Sequence, residues 1–284
     1  MKKLSGENLE ITDCPMCSSK ESVSTKFVFG EFEVVRCQMC ELWYLSPRMT
    51  EVEMIKFYSQ SSYFAGGSEG GYSNYSVQEM GLRQTFRRFL NSLVKRGLTG
   101  GDLLEVGCGY GYLLVEARSL FNRRIGTDFS TEAVKHARNN CDEVYIGGIE
   151  RIPQEMSFDV IISVGVLEHV YQPIDFVEKL SCHLNENGVL ILATPDFGSF
   201  WRLIFGKKWP SFKIPEHVTF WDKKTLSRLF SMTGFNEMQT IPYPHAFPIS
   251  LVMEKLGFSV PDFIGEHTIW LPATTVAMAA RKKG

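Results

Sequence analysis

No apolar run in this sequence is long enough to cross a membrane. The longest buried-looking stretches, such as Val160 to Leu167, fall far short of the roughly 18 residues that a span needs. Met1 to Thr12 lacks the apolar core of a signal peptide, so a cytoplasmic location is expected. Charge of one sign is also missing: 30 Lys and Arg stand against 32 Asp and Glu, a formal net charge of −2. That balance argues against phosphate-driven binding of long nucleic acid and favours a small-molecule ligand, although a local basic face can hide in a balanced total. No internal repeat is visible.

What is present points to one large α/β domain with a small accessory module, since 284 residues at 44% hydrophobic content can build a sizeable core. Four of the seven cysteines are paired in sequence. Cys14-Pro-Met-Cys17 and Cys37-Gln-Met-Cys40 form two C-x2-C knuckles, a zinc-ribbon spacing that can offer four thiolates to one tetrahedral ion and leaves no open position for water. A structural Zn2+ is therefore expected in residues 1–50. The same spacing also suits an iron–sulfur cluster, because spacing alone does not choose the metal. Between the knuckles, KFVFGEFEVVRC alternates like a hairpin around Gly30.

Residues 51–100 read as a linker, lid and N-terminal helices. Glu51 to Ser59 suits a short helix. Residues 61–76 hold four glycines, five serines and four aromatics, the composition of a linker or of a lid that closes over ligand. From Glu79, Phe86, Phe89, Leu90, Leu93 and Val94 recur at helical spacing, and Gly97 supplies a stop. Arg83, Arg87 and Arg88 read as a solvated face.

From residue 101 to 284, strand and helix patterns alternate: Asp102–Val106, Tyr112–Leu120, Arg124–Asp128, Thr131–Asn139, Glu143–Ile146, Phe158–Val164, a helix opening at Pro173, and the buried strand 188–194. This is the signature of a doubly wound, Rossmann-like and mostly parallel sheet. Asp222 is placed to cap a further helix that stops at Gly234, and two strands close the chain. Aromatic-rich insertions at about 196–221 and 243–272 read as a cap over an apolar-walled pocket or as packing of that cap.

LLEVGCGYGYLL (103–114) follows the first strand of this sheet, where doubly wound folds hold ligands. A dinucleotide fingerprint beginning at Gly107 would need a third glycine where Tyr112 stands, and no Gly-Lys-Ser/Thr follows to make a P-loop. Glu105 would also repel a diphosphate. A ligand carrying an ammonium and a sulfonium reverses that objection.

Here the sequence resembles the class I S-adenosylmethionine-dependent methyltransferases, through LLEVGCGYGYLL, IGTDFS, GGIERIP, FDVIISVGVLEHV and NGVLILATP in that order, over about residues 101–281. The resemblance implies a seven-stranded fold and S-adenosyl-L-methionine as cofactor. It places Glu105 near the methionine amino end and Gly107, Cys108, Gly109 and Gly111 along the amino acid and ribose. It assigns Asp128 to the ribose hydroxyls and Phe129 to the adenine, with Val164 at the end of the fourth strand. The family's G-D-x-E aspartate, which reaches the adenine amine, is replaced by Gly148, so the backbone at Ile149 is expected to contribute instead.

For a hydroxyl acceptor a base is needed, and histidine is the natural candidate near neutral pH. His169, in VLEHV, and His217, in IPEHVTFW, are the candidate catalytic residues. Ubiquinone-pathway and small-RNA methyltransferases carry E-x-x-E-H at this place for a divalent metal. This chain has Gly165 where the first carboxylate stands, which disfavours a catalytic metal and leaves Glu168 a structural reading. Cys108, Cys141 and Cys182 read as buried small hydrophobes. A ribbon ahead of such a domain is similar to the arrangement in bacterial sugar C-methyltransferases. The expected function is methyl transfer, to oxygen first and carbon second, onto a small-molecule, lipid or glycan-linked acceptor of apolar or aromatic character. An RNA methyltransferase and an NAD-dependent oxidoreductase or epimerase are the alternatives.

Overall fold

A computed structural model describes residues 8–58, 78–255 and 267–283 of the chain. The expected linker or lid at 61–76, and Phe258 and Phe263 of the second insertion, lie outside the described residues.

The N-terminal module is built on short antiparallel strands. β1 (Leu9–Glu10) pairs with β6 (Arg48–Met49), which brings the two ends of the module together. Between them, β4 (Phe32–Cys37) pairs with β2 (Ser22–Val23), β3 (Val28–Phe29) and β5 (Trp43–Leu45). The β3–β4 hairpin turns at Gly30, whose φ of 63° lies in the left-handed region that glycine enters without a Cβ clash. α1 (Glu51–Tyr58) follows, then α2 (Glu79–Val94), whose inward side buries Phe86, Phe89, Leu90 and Leu93 as the helical spacing requires.

The main domain runs β7 (Asp102–Val106), α3 (Tyr112–Glu116), β8 (Arg123–Asp128), α4 (Thr131–Ala137), β9 (Glu143–Ile146), β10 (Phe158–Val164), α5 (Pro173–Cys182) and β11 (Leu184–Pro195). After it come α6 (Phe200–Phe205), β12 (Thr219–Phe220), α7 (Lys223–Met232), β13 (Phe235–Ile241), β14 (His245–Pro248), α8 (Ile249–Lys255), β15 (Thr268–Leu271) and β16 (Thr275–Lys282). Seven strands form one sheet in the order β13-β16-β11-β10-β7-β8-β9. β16 runs antiparallel to both neighbours and the other pairs are parallel.

Alternation along the strands sorts the core into two layers. Leu104, Ile161, Leu190 and Leu192 pack on one face with Val177, Leu226 and Leu229, while Leu103, Ile162 and Ile191 pack on the other with Phe89, Leu93 and Leu113. α7 begins at Asp222, whose side chain accepts from the Thr225 amide in a reciprocal capping box. The strand order reverses between β7 and β10. The crevice beyond their carboxyl ends is thus the predicted ligand position.

The first insertion does more than cap. β12 pairs antiparallel with β5, Thr219 opposite Tyr44 and Phe220 opposite Trp43, so it completes the ribbon's own sheet. Phe197, Trp209, Phe212 and Phe220 pack with Phe27, Phe32, Val34 and Trp43 in a third apolar cluster. Its aromatic rings meet at 4.9 Å for both Phe27–Phe212 and Trp43–Phe197. The physical reason is size: a module of some fifty residues cannot bury enough surface alone and borrows apolar area from the larger domain. The second insertion lies on α2. There Thr85 accepts from the Ala246 amide at 2.8 Å, and the Arg88 guanidinium sits 3.6 Å from the Trp270 ring centre.

Candidate active site

Three left-handed glycines shape the loop after β7: Gly107, Gly109 and Gly111, with φ of 79°, 53° and 76°. A Cβ on Gly107 would stand 2.2 Å from Cγ2 of Val166, so the loop tolerates no side chain there. The amides of these residues are engaged within the protein. The Gly107 and Cys108 amides both donate to the Thr127 carbonyl, the Gly109 amide donates to Asp128 Oδ2 at 2.8 Å, and the Gly111 amide donates to the Cys108 carbonyl. The loop spends these donors on its own closure. Cys108 is likewise turned inward, its sulfur packed near Gly126, so its side chain builds the loop. Of the other cysteines read as buried, Cys141 is half-buried and Cys182, on the last turn of α5, is exposed.

Glu105 closes the inner wall. It is buried, and among the described residues its Oε2 has no hydrogen-bond partner. Burial, and then the negative charge of Asp128, push its carboxyl well above the usual carboxylate range. Two carboxylates sharing a crevice, one of them with an orphaned oxygen, suit a cationic group and oppose a diphosphate. Asp128, at the end of β8, accepts from the Ser130 amide through Oδ1 at 2.8 Å as well as from Gly109. It therefore sets the loop in place, and each of its oxygens keeps capacity for a further hydrogen bond.

The neighbouring groups line up along the same edge. Phe129 is 77% exposed, an uncommon state for a large aromatic ring. Gly148, at the end of the turn after β9, is buried so close that a Cβ there would lie 3.1 Å from Cζ of Phe129. Ile149 is buried in the following 3-10 turn, and Val164 ends β10, half-buried. Sequence reasoning missed one residue here. Glu150 Oε1 accepts from the Gly148 amide at 2.9 Å, which brings a carboxylate to the position where the expected aspartate is absent. The spacing of GGIE contained that signal.

The two histidines, far apart in sequence, meet. Their ring centres are 4.7 Å apart at an interplanar angle of 90°. The Nδ1 of His169 lies 3.1 Å from the Glu216 carbonyl and that of His217 lies 2.9 Å from the Ser211 carbonyl. A carbonyl only accepts, so each Nδ1 carries the proton and the basic lone pair falls on Nε2. Burial holds both rings below the ordinary histidine range, His169 down to about 4. Beneath them Glu168 is buried, accepts from the Thr194 hydroxyl at 2.9 Å, and is pushed up to about 7, chiefly by burial. One ligand-type atom from each of Glu168, His169 and His217 lies within 4.8 Å of the others. The charge of Lys213 acts on all three, which disfavours a cation among them.

A profile of the methyltransferase domain family matches residues 79–240, more than half of the chain. The chain belongs to the class I S-adenosylmethionine-dependent methyltransferases. The methyltransferase is 27% identical over 164 residues to a probable S-adenosylmethionine-dependent methyltransferase of Mycolicibacterium smegmatis, a match covering 57% of this chain and 62% of that protein. It is 34% identical over 109 residues to the tRNA U34 carboxymethyltransferase of Aeromonas hydrophila, covering 34% of this chain and 33% of that one. To the ubiquinone biosynthesis O-methyltransferase of Rhodopseudomonas palustris it is 27% identical over 134 residues, covering 44% and 53%. The matches thus span less than two thirds of these curated relatives. Among solved structures, the magnesium protoporphyrin IX methyltransferase of Synechocystis with bound SAH shares the fold at a TM-score of 0.52 and 15% identity, covering 82% of this chain and all of that one. Membership of this family sets aside the nicotinamide-dependent oxidoreductase and epimerase.

The methyltransferase carries its second cluster in the ribbon. Cys14, Cys17, Cys37 and Cys40 are free thiols whose sulfurs lie within 4.8 Å of one another. Cys14 and Cys40 are 3.3 Å apart and Cys17 and Cys37 3.6 Å apart, near the ~3.8 Å expected between thiolates on a tetrahedral ion with bonds of about 2.3 Å. The Cys40 amide points at the Cys37 sulfur from 3.5 Å, a second-sphere contact of the kind that steadies a thiolate ligand. The donor set fits a closed structural site.

Proposed function

We propose that this methyltransferase transfers a methyl group to a hydroxyl of a small-molecule, lipid-linked or glycan-linked acceptor, with the histidine pair managing the acceptor proton. The observation that carries the reading is the meeting of His169 and His217 above a buried Glu168. S-adenosylmethionine supplies an activated methyl on a sulfonium, so the protein's task is to hold the acceptor in line, exclude water and take up one proton.

In this reading Glu105 receives the cofactor's ammonium, Asp128 its ribose hydroxyls, and Phe129 with Glu150 its adenine. The glycines give the chain room to approach, and Val164 and Ile149 form the apolar floor. His169 is the less buried of the pair and takes the proton at Nε2. His217 holds the first ring at right angles, and the Glu168 carboxylate offsets the charge of Lys213 as the imidazolium forms. We read the four cysteines as ligands of one structural Zn2+, which makes residues 1–50 a zinc ribbon and residues 101–284 the catalytic domain.

The aromatic content of the first insertion is committed largely to the ribbon contact, so acceptor chemistry rests on the proton-handling cluster and not on an aromatic wall. A panel of hydroxyl, amine and carbon acceptors, assayed by mass spectrometry of methylated products, tests the reading. Product confined to hydroxyl acceptors supports it. Transfer only to carbon or to tRNA, or a strict need for added Mg2+ or Mn2+, assigns the cluster a different role.

A further inference from the structure

The segment between β11 and β12 has a property that the ribbon contact uses only in part, through Lys207, whose Nζ lies 5.2 Å from the Phe29 ring centre. From residue 197 to 215 it contains no Asp or Glu and four basic side chains, Arg202, Lys207, Lys208 and Lys213, interleaved with aromatic and aliphatic residues. Most of its large rings face the ribbon, but α6 turns outward. Leu203 and Ile204 are 67% and 68% exposed, Phe200 and Phe205 are exposed beside them, and Lys207 and Lys208 are exposed on the next turn.

Isolated exposed apolar residues are ordinary, whereas here four are exposed in a single six-residue helix. The helix is also firmly held. Ser199 caps its first turn, Arg202 donates to the Phe197 carbonyl at 2.8 Å and lies over that ring, and the Trp201 indole donates to the Pro272 carbonyl at 2.7 Å. The side chains left outside are thus presented on a fixed support.

We propose that α6 and the following lysines are a docking surface for an anionic lipid bilayer. Phe200, Leu203, Ile204 and Phe205 enter the acyl boundary, and Lys207 and Lys208 lie against lipid phosphates. This is the division of labour of an interfacial helix, with apolar insertion for depth and cations for attraction to an anionic leaflet. The charge beside the exposed face selects this occupant: Arg202 is held against Phe197 and Lys213 acts on the histidine cluster, but Lys207 and Lys208 stand exposed next to the apolar residues with no Asp or Glu between 197 and 215, which complements a negatively charged membrane. α6 follows directly from β11, at the sheet end where the Ala193 carbonyl accepts from Gly165 and Thr194 donates to Glu168. The docked face and the proton-handling cluster therefore share one edge of the molecule. The docking proposal stands independently of the acceptor reading, since cofactor binding and membrane binding are measured separately.

Flotation of the full chain with vesicles of phosphatidylglycerol and phosphatidylcholine, against vesicles of phosphatidylcholine alone, tests it. The wild type should float with the anionic vesicles and release as salt is raised. L203S/I204S should weaken binding about tenfold or more, and K207E/K208E should weaken it comparably. Both variants should keep wild-type affinity for S-adenosylhomocysteine, which shows that the fold is intact. Failure of the wild type to float, equal binding to neutral vesicles, or undiminished binding by both variants overturns the proposal. So does a wild-type dimer in sedimentation velocity that L203S/I204S converts to monomer, because the patch then belongs to a second copy of the chain.

Discussion

Two buried clusters of ligand-type side chains in this methyltransferase are assembled in opposite ways. The four cysteines come from two knuckles of four residues each, joined by a hairpin, so sequence neighbours become ligand neighbours. Glu168, His169 and His217 come from the turn after β10 and from the segment before β12, and only the folded sheet brings them together. The two clusters are also linked. The Leu45 amide of the ribbon donates to the Val218 carbonyl, the Val218 amide donates to the Glu168 carbonyl, and the Thr219 hydroxyl donates to the Leu167 carbonyl. The local cluster steadies a module whose edge strand in turn holds the nonlocal one. The ribbon is thereby hydrogen-bonded to the turn that carries Glu168 and His169.

The sharpest way to break this comparison is C37S. Loss of one ligand should empty the ribbon of metal and cost more than about 4 kcal/mol, read as a fall in thermal midpoint together with zinc content near zero. Below that midpoint, turnover should fall while affinity for S-adenosylhomocysteine persists. Equal loss of both would mean that the ribbon supports the whole domain and not the histidine wall. Next in size, H169A and H217A should each lower kcat by about 10²–10⁴-fold with little change in cofactor affinity, checked by calorimetry beside steady-state rates. Normal rates in both would leave positioning as the whole of the mechanism.

On the cofactor side, D128A should weaken S-adenosylhomocysteine binding by about 10–100-fold, through loss of charge-assisted hydrogen bonds and of the Gly109 anchor. The smaller partner of that test is pH. The Glu168 carboxyl is pushed up to about 7, so its contribution to stability is complete below the unfolded value of about 4.3 and is lost as the pH rises through about 7. E168Q removes that loss. Its stability relative to wild type should therefore climb by about 1–3 kcal/mol between pH 4.5 and 7.5, measured by denaturant unfolding. The depressed histidines act in the opposite sense, losing stability as the pH falls below about 6.5, and they do so in both proteins. The smallest effect belongs to E150Q, which should weaken cofactor binding a few-fold if this carboxylate reaches the adenine.

Much of the catalytic domain was legible from its letters. Strands β7, β9 and β10 begin and end where hydrophobic runs and glycines place them, and Asp222 caps α7 as its spacing with Thr225 requires. α3 is shorter than its apolar pattern, ending at Glu116 and not at Leu120. The roles of the insertion were not legible: FWRLIF and THR-PHE of β12 carry similar residue types, yet one faces outward and the other joins the ribbon sheet. Hydrophobic letters report that a surface is apolar and say nothing of which partner covers it.

Local spacing alone determined the two cysteine knuckles, the glycine loop with Glu105 before it, and the alternation that makes a doubly wound sheet. Each depends on residues close enough in sequence that backbone geometry dictates their relation. Only the tertiary structure decided that the loop amides are spent on closing the loop, that Glu150 accepts from the Gly148 amide, that two distant histidines meet beside Glu168, and that the ribbon is hydrogen-bonded to the segment that brings them together. Those relations arise from long-range pairing and packing, whose free energy is shared over many residues and leaves no mark at any one position.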